Sequence, residues 1–190
     1  MAAVLLDRDG VINKNRVDYV KRWDEFEFLP GALEALATMR AAGLRLAVVT
    51  NQSAVGRGLL ASHRLREIHR RMLVLCAANG GAIEGVFACE HAPWAGCGCR
   101  KPQPGLLRRA TAALGEPPER CVFIGDAPED LLAARAARVP FVLVRTGRGE
   151  ETLRHAAYRE TPPLYVARSL TDAASAVRSR FAARTEPVAA

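Results

Sequence analysis

The chain has 190 residues, with 27 Lys+Arg against 20 Asp+Glu, a formal net charge of +7, and 49% apolar residues. That is one domain's worth of sequence with enough hydrophobic material for a sizeable core, so wholesale disorder, collagen-like repeats and coiled coils are excluded. No apolar run reaches the roughly 18 to 20 residues of a membrane span, and the start meets Asp7 too early for a signal peptide, which together point to a cytoplasmic protein without membrane partners.

In chain order, short apolar runs alternate with helical patterns. Strands are expected at Val4–Leu6, Arg45–Thr50, Gly85–Ala88, Cys121–Gly125, Phe141–Val144 and Leu164–Val166. Their continuous apolar character suits parallel strands buried on both faces. Helices are expected at Ala32–Ala42, Ser62–Asn79, Pro104–Leu114, Glu129–Arg138 and about Thr171–Ala183. The second should bury Leu65, Ile68, Met72 and Leu75 on one stripe, with Ser62 as N-cap and Asn79-Gly80 as its stop, while Gly43 closes the first. Such alternation predicts an α/β, Rossmann-like, doubly wound and mainly parallel sheet with helices on both faces. Ligands then belong at the carboxyl ends of the strands. One domain, 1–183, is expected, followed by a flexible tail at 184–190. The space between Asn13 and Arg45 is too short for an inserted cap domain.

The most polar motifs fall at those strand ends. The first strand runs into Asp7-Arg8-Asp9-Gly10, where two carboxylates can approach one point once the chain leaves the extended conformation. An ordinary Asx turn would account for this motif alone. The second strand ends in Thr50-Asn51-Gln52-Ser53, and a helix cap explains one of these four polar side chains, not all. A further strand ends in Gly125-Asp126-Ala127-Pro128-Glu129-Asp130, and Arg100-Lys101-Pro102 projects two cations from a proline-confined backbone. Together these are the parts for phosphoryl transfer: carboxylates to hold a divalent cation and attack phosphorus, cations and hydroxyls to neutralise its oxygens. Glycine-rich nucleotide-binding loops are missing, which argues against a P-loop or dinucleotide enzyme.

Cys89-x-His91-x5-Cys97-x-Cys99 places three thiols and one imidazole within eleven residues, a set suited to a closed, structural zinc site. Gly96, Gly98 and Pro93 leave this loop almost no core of its own, so a metal would order it. Cys76 and Cys121 read as small core residues, and His63, His69 and His155 as solvated helix positions.

The motifs Asp7-x-Asp9-Gly10-Val11, Thr50, Lys101 and Gly125-Asp126-x-x-x-Asp130, in this order and each after a strand, resemble the haloacid dehalogenase superfamily of phosphatases. More narrowly, Leu6-Asp-Arg-Asp-Gly-Val-Ile-Asn13, Phe26-Glu-Phe-Leu-Pro-Gly31, Val49-Thr-Asn-Gln-Ser53 and Cys99-Arg-Lys-Pro102 resemble the D-glycero-D-manno-heptose 1,7-bisphosphate 7-phosphatases. The histidinol-phosphate phosphatases share most of these motifs and are the alternative. The resemblance implies Asp7 as nucleophile and Asp9 as acid and then base. It further implies Mg²⁺ between the Asp7 carboxylate, the Asp9 backbone carbonyl and Asp126, with Thr50 and Lys101 on the phosphoryl oxygens. Arg100, Asn51, Gln52, Ser53 and the loop Arg16, Val17, Asp18, Tyr19 would contact substrate, a small phosphorylated sugar. Arg57 is a further candidate for a second phosphate. One departure is Ala127, where the heptose family often has Lys. The rival from another class is a zinc-stabilised nucleic-acid-binding module using the 24 Arg, but those residues neither cluster nor interleave with aromatics. No nucleic-acid partner is therefore expected, and a monomer is the default.

Overall fold

The computed structural model describes residues 2–182; the tail expected at 184–190 lies outside the described residues. Six strands form one parallel sheet in the order β3-β2-β1-β4-β5-β6. They are β1 (Ala3–Leu6), β2 (Arg45–Asn51), β3 (Gly85–Cys89), β4 (Cys121–Gly125), β5 (Phe141–Val144) and β6 (Tyr165–Ala167). Every pairing is parallel, with Leu6 opposite Val48 of β2 on one side and Ile124 of β4 on the other.

Alternation along each strand sorts the core into two layers. Val4, Leu6, Leu46, Val48, Val122 and Ile124 face α1 (Ala32–Ala41), α3 (Ser62–Ala78) and α8 (Leu170–Ala182). Leu5, Ala47, Val49, Phe123 and Leu143 face α4 (Gly105–Ala113) and α5 (Pro128–Ala137). With both faces covered, neither can alternate with polar residues, which is why the strands read as unbroken apolar runs. The chain winds from β1 outward to β3, then returns to β4 on the other flank of β1. The order reverses there, and the crevice beyond the carboxyl ends of β1 and β4 is where such sheets bind ligands. Nothing larger than a loop, a short 3-10 turn and α1 lies between β1 and β2. Among the described residues no helix is long and apolar enough to cross a membrane.

Several local expectations are corrected. The N-cap of α3 is Ala61; Ser62 starts the helix, and its hydroxyl donates to Glu90. Leu75 is 39% exposed, and the buried stripe is instead Leu65, Ile68, His69, Met72 and Cys76. His69 is therefore a core residue rather than a solvated one. His155 caps α7 (Ala156–Glu160), accepting the Ala157 N–H at Nδ1. The short helices α2 (Ser53–Gly56), α6 (Gly149–Arg154) and α7 carry too few turns for a periodic signal.

Candidate active site

Asp7 follows the central strand and Asp126 follows its neighbour β4, so the sheet itself brings the two carboxylates together. Asp7, Asp126 and Asp130 each offer an oxygen within 4.8 Å of the others. Lys101 closes the group from the far side. Its Nζ lies 2.9 Å from Asp7 Oδ1 and 2.6 Å from Asp130 Oδ1, and donates to the Val49 carbonyl at 3.0 Å. Asn51 fixes that lysine's backbone: its Oδ1 accepts the Lys101 N–H and its Nδ2 donates to the Lys101 carbonyl, both at 3.0 Å. Asp130 has a second duty at the start of α5, where Oδ2 accepts the N–H groups of Asp126 and Ala127.

These carboxylates repel one another in a dry site. Burial pushes Asp7 up to about 7, against the pull of Lys101 and with Asp130 and Asp9 adding to it. Asp126 is raised for the same reasons, burial first and then Asp130 and Asp7. Burial opposes the Lys101 ammonium, but Asp130 and Asp7 outweigh it and raise its pKa. One ammonium among three carboxylates leaves negative charge uncompensated. A divalent cation fits that deficit, and its oxygen donors suit Mg²⁺.

The cradle around Asp126 supports the same fit. A Cβ at Gly10 (φ +83°) or at Gly147 (φ +56°) would meet Asp126 Oδ2 at 2.2 Å or 2.1 Å. The Arg148 N–H donates to that oxygen at 2.7 Å, the Thr152 hydroxyl to the Asp126 carbonyl at 2.6 Å, and the Thr146 hydroxyl to the Gly10 carbonyl at 2.6 Å. The loop after β5 thus orients Asp126, a role that the bare sequence Arg-Thr-Gly-Arg-Gly does not disclose.

Asp9 sits differently. Its Oδ1 accepts from Arg8 Nη2 at 3.0 Å and Asn13 Nδ2 at 2.9 Å; its Oδ2 accepts from Arg8 Nε at 3.1 Å and Gln52 Nε2 at 2.7 Å. Burial would raise this carboxyl, but the Arg8 charge and the hydrogen bonds from Arg8, Asn13 and Gln52 prevail and hold it below the ordinary range. Gln52 also donates to Thr50 Oγ1 at 2.9 Å, linking the second strand's end to the first.

The cleft above these groups has a volume of about 230 Å³ and is open to solvent. Arg16, Tyr19, Asn51, Gln52, Ser53, Arg57 and Arg100 line it, as expected. Val17 and Asp18 do not: Val17 is fully exposed and Asp18 is tied up by Arg16 and Lys21. Arg57 stacks on the exposed ring of Trp94, 5.1 Å to the centroid. Arg100 Nη1 is buried without a hydrogen-bond partner. Arg8, Glu129 and Arg148 were not foreseen as lining residues.

Beside the cleft, the sulfurs of Cys89, Cys97 and Cys99 lie 3.4 to 3.7 Å apart, with His91 Nδ1 at 3.2 Å from Cys99 and 3.5 Å from Cys89. A tetrahedral zinc with bonds of about 2.3 Å would set its sulfurs about 3.8 Å apart, close to this spacing. Burial pushes Cys89 up to about 12. Cys97 is opposed by burial but drawn down to about 6 by the Arg100 N–H and its neighbouring thiols. The fit to zinc rests on the spacing and on the donor types, three thiols and one imidazole.

Both the sequence and the fold match known proteins. Residues 98–173 match the HAD-hydrolase-like family model. A D-glycero-beta-D-manno-heptose-1,7-bisphosphate 7-phosphatase of Pseudomonas putida is 42% identical over 80% of this chain and 87% of its own length. The chain belongs to the D-glycero-D-manno-heptose 1,7-bisphosphate 7-phosphatase family of haloacid dehalogenase-like enzymes. It is a phosphatase, hydrolysing phosphomonoesters. The D-glycero-alpha-D-manno-heptose-1,7-bisphosphate 7-phosphatase of Mycobacterium tuberculosis is 43% identical over 67% of this chain and 68% of its own. The crystal structure of D,D-heptose 1,7-bisphosphate phosphatase from B. bronchiseptica, complexed with magnesium and phosphate, superposes with a TM-score of 0.88. It is 35% identical and covers 95% of this chain and 99% of its own.

Proposed function

We propose that this phosphatase removes the 7-phosphate of D-glycero-D-manno-heptose 1,7-bisphosphate through an aspartyl-phosphate. Asp7 attacks phosphorus as the bond to the sugar's C7 oxygen breaks, and Asp9 gives that oxygen its proton. In the second step Asp9 takes a proton from water, whose oxygen attacks phosphorus and frees Asp7, releasing inorganic phosphate. The observation that carries this reading is the position of Asp7 at the mouth of the central strand. There Lys101 touches it at 2.9 Å and Asp126 shares its small acidic pocket. Mg²⁺ held by Asp7, Asp126 and the Asp9 carbonyl would supply the charge neutralisation that lets a carboxylate approach an anionic phosphoryl group. Thr50 and Lys101 bind the transferring oxygens, and Asn51 positions Lys101.

Substrate recognition falls to the open rim. Arg100 has a buried nitrogen awaiting an acceptor, and an unpaired buried donor is costly until one arrives. Arg57, held over Trp94, offers a second guanidinium for the remaining phosphate. Arg16, Tyr19, Gln52 and Ser53 complete the wall. Zinc on Cys89, His91, Cys97 and Cys99 orders the loop that ends at Arg100-Lys101, and three reduced thiols fit a cytoplasmic setting. Every residue invoked comes from one chain and one domain, consistent with a monomer. The deciding measurement is kcat/KM on both anomers of the heptose bisphosphate beside histidinol phosphate. A preference for a heptose anomer is expected, and a preference for histidinol phosphate overturns the substrate.

A further inference from the structure

His69 has no place in the two steps just described, yet it is buried on α3 among Leu65, Ile68 and Met72 and faces Arg8. Its Nε2 lies 3.1 Å from Arg8 Nη1. A guanidinium has only donors to offer, so this ring nitrogen is the acceptor and the imidazole proton sits on Nδ1. Arg8 itself is 1% exposed, and its charged head is anchored on three sides. Nη1 goes to His69, Nε and Nη2 go to Asp9, and the Phe26 ring lies 5.9 Å from the guanidinium carbon.

We propose that His69 is a positioning residue: by accepting from Arg8 Nη1 it seats the guanidinium that aims the Asp9 carboxylate as the base of the second step. This rests on the aspartyl-phosphate reading above. The two steps make opposite demands on Asp9. In the first it must carry a proton, so one oxygen has to stop accepting from its neighbours. In the second it must free an oxygen in the same way before it can take a proton from water, because four donors fill its two oxygens, and it must hold its aim while doing so. With a substrate whose leaving group needs no proton, only the second step uses Asp9, so loosening Arg8 slows the decay of the aspartyl-phosphate and spares its formation. A residue that merely filled the core would, when removed, slow both.

The test is rapid acid quench of the full-length, Mg²⁺- and zinc-loaded enzyme with radiolabelled p-nitrophenyl phosphate, whose leaving group departs without a proton donor and which involves no heptose. In His69→Leu the labelled enzyme is expected to decay about tenfold more slowly, within the span of general base catalysis, while its formation rate stays within about threefold of wild type. His69→Gln, which restores an acceptor oxygen, should recover most of the decay rate. If leucine is not accommodated, His69→Met serves the same comparison. Equal slowing of formation and decay, or an unchanged decay rate, overturns the proposal. Asp9→Asn is the control: labelling there with an unaffected His69 variant rejects the proposal alone. No labelling even in Asp9→Asn removes the aspartyl-phosphate mechanism and the proposal with it.

Discussion

Cys99 and Lys101 are two residues apart, yet the regions they belong to are built in opposite ways. Lys101 sits in a buried centre where Asp7, Asp126 and Asp130 are each held by strand ends, backbone N–H groups or an ammonium. The loop from Cys89 to Cys99 has little packed side-chain matter; Pro93, Trp94 and Gly96 are exposed, and its four donors mainly face one another. The first region is positioned by the fold and destabilised by its own charge. The second carries little of the core, and its four donors face one another in a set that a zinc ion would hold together. Charge repulsion is tolerable where the scaffold is rigid, and a soft scaffold needs a metal to give the next residues a fixed origin.

Breaking the buried centre should cost most. Asp7→Asn is expected to reduce phosphate release by at least about 10⁴-fold, since a neutral amide cannot replace an attacking carboxylate. Its melting temperature without Mg²⁺ should stay level or rise, because one of three crowded carboxylates is removed. Phosphate release near the wild-type rate would dismiss Asp7 as nucleophile.

Disturbing the soft region should cost less and differently. Cys97→Ser, or zinc removal by a chelator followed by Mg²⁺ repletion, is expected to lower kcat/KM by about 10 to 100-fold, the range of lost positioning contacts at metal sites. Far-ultraviolet circular dichroism should be retained, since the sheet does not depend on this loop. Loss of the whole fold would show the loop to be part of the core.

Smaller still is Gly147→Ala. The added methyl meets Asp126 Oδ2 at 2.1 Å, and a side chain at φ +56° adds strain. Mg²⁺ affinity, read by activation or calorimetry, is expected to fall by about tenfold with zinc content unchanged. Equal Mg²⁺ affinity in both proteins would mean that the cradle does not set the metal's place.

The mildest effect is on pH dependence. Asp7 is raised in the folded chain from an ordinary 3.8 to about 7. A raised folded-state value means stability that is present at acid pH and lost as pH climbs through that window. The metal-free protein should therefore melt at progressively lower temperature between about pH 4 and pH 7, and Mg²⁺ should restore more at pH 7.5 than at pH 5. A Mg²⁺ effect independent of pH would mean the ion binds away from Asp7.

The sheet was legible because parallel strands buried on both faces announce themselves as apolar runs, and the strand ends were legible because polar clusters follow them abruptly. The structure gathers Asp7, Asp9, Thr50, Lys101 and Asp126, each at or near a strand end, around one cleft. Arg8 is different: between two carboxylates an arginine looks solvated, and only His69 of α3 and the Phe26 ring closing over it make it a core residue. His69 offered one cue, its place four residues after Leu65 on the apolar stripe. Val17 and Asp18 lie outside the cleft lining, since a matching loop sequence does not tell which of its side chains turn inward. Asn51 lines the cleft and its amide also holds the backbone of a residue fifty positions away, a pairing only the folded chain reveals.

The central position of β1 also bears on how the enzyme comes into being. Along the chain, β1 and its partner β4 are separated by more than a hundred residues. Until the two pair, one edge of β1 has no neighbour and Asp7 stands alone. The acidic pocket of Asp7 and Asp126 is thus a long-range product of the folded sheet rather than of any local segment.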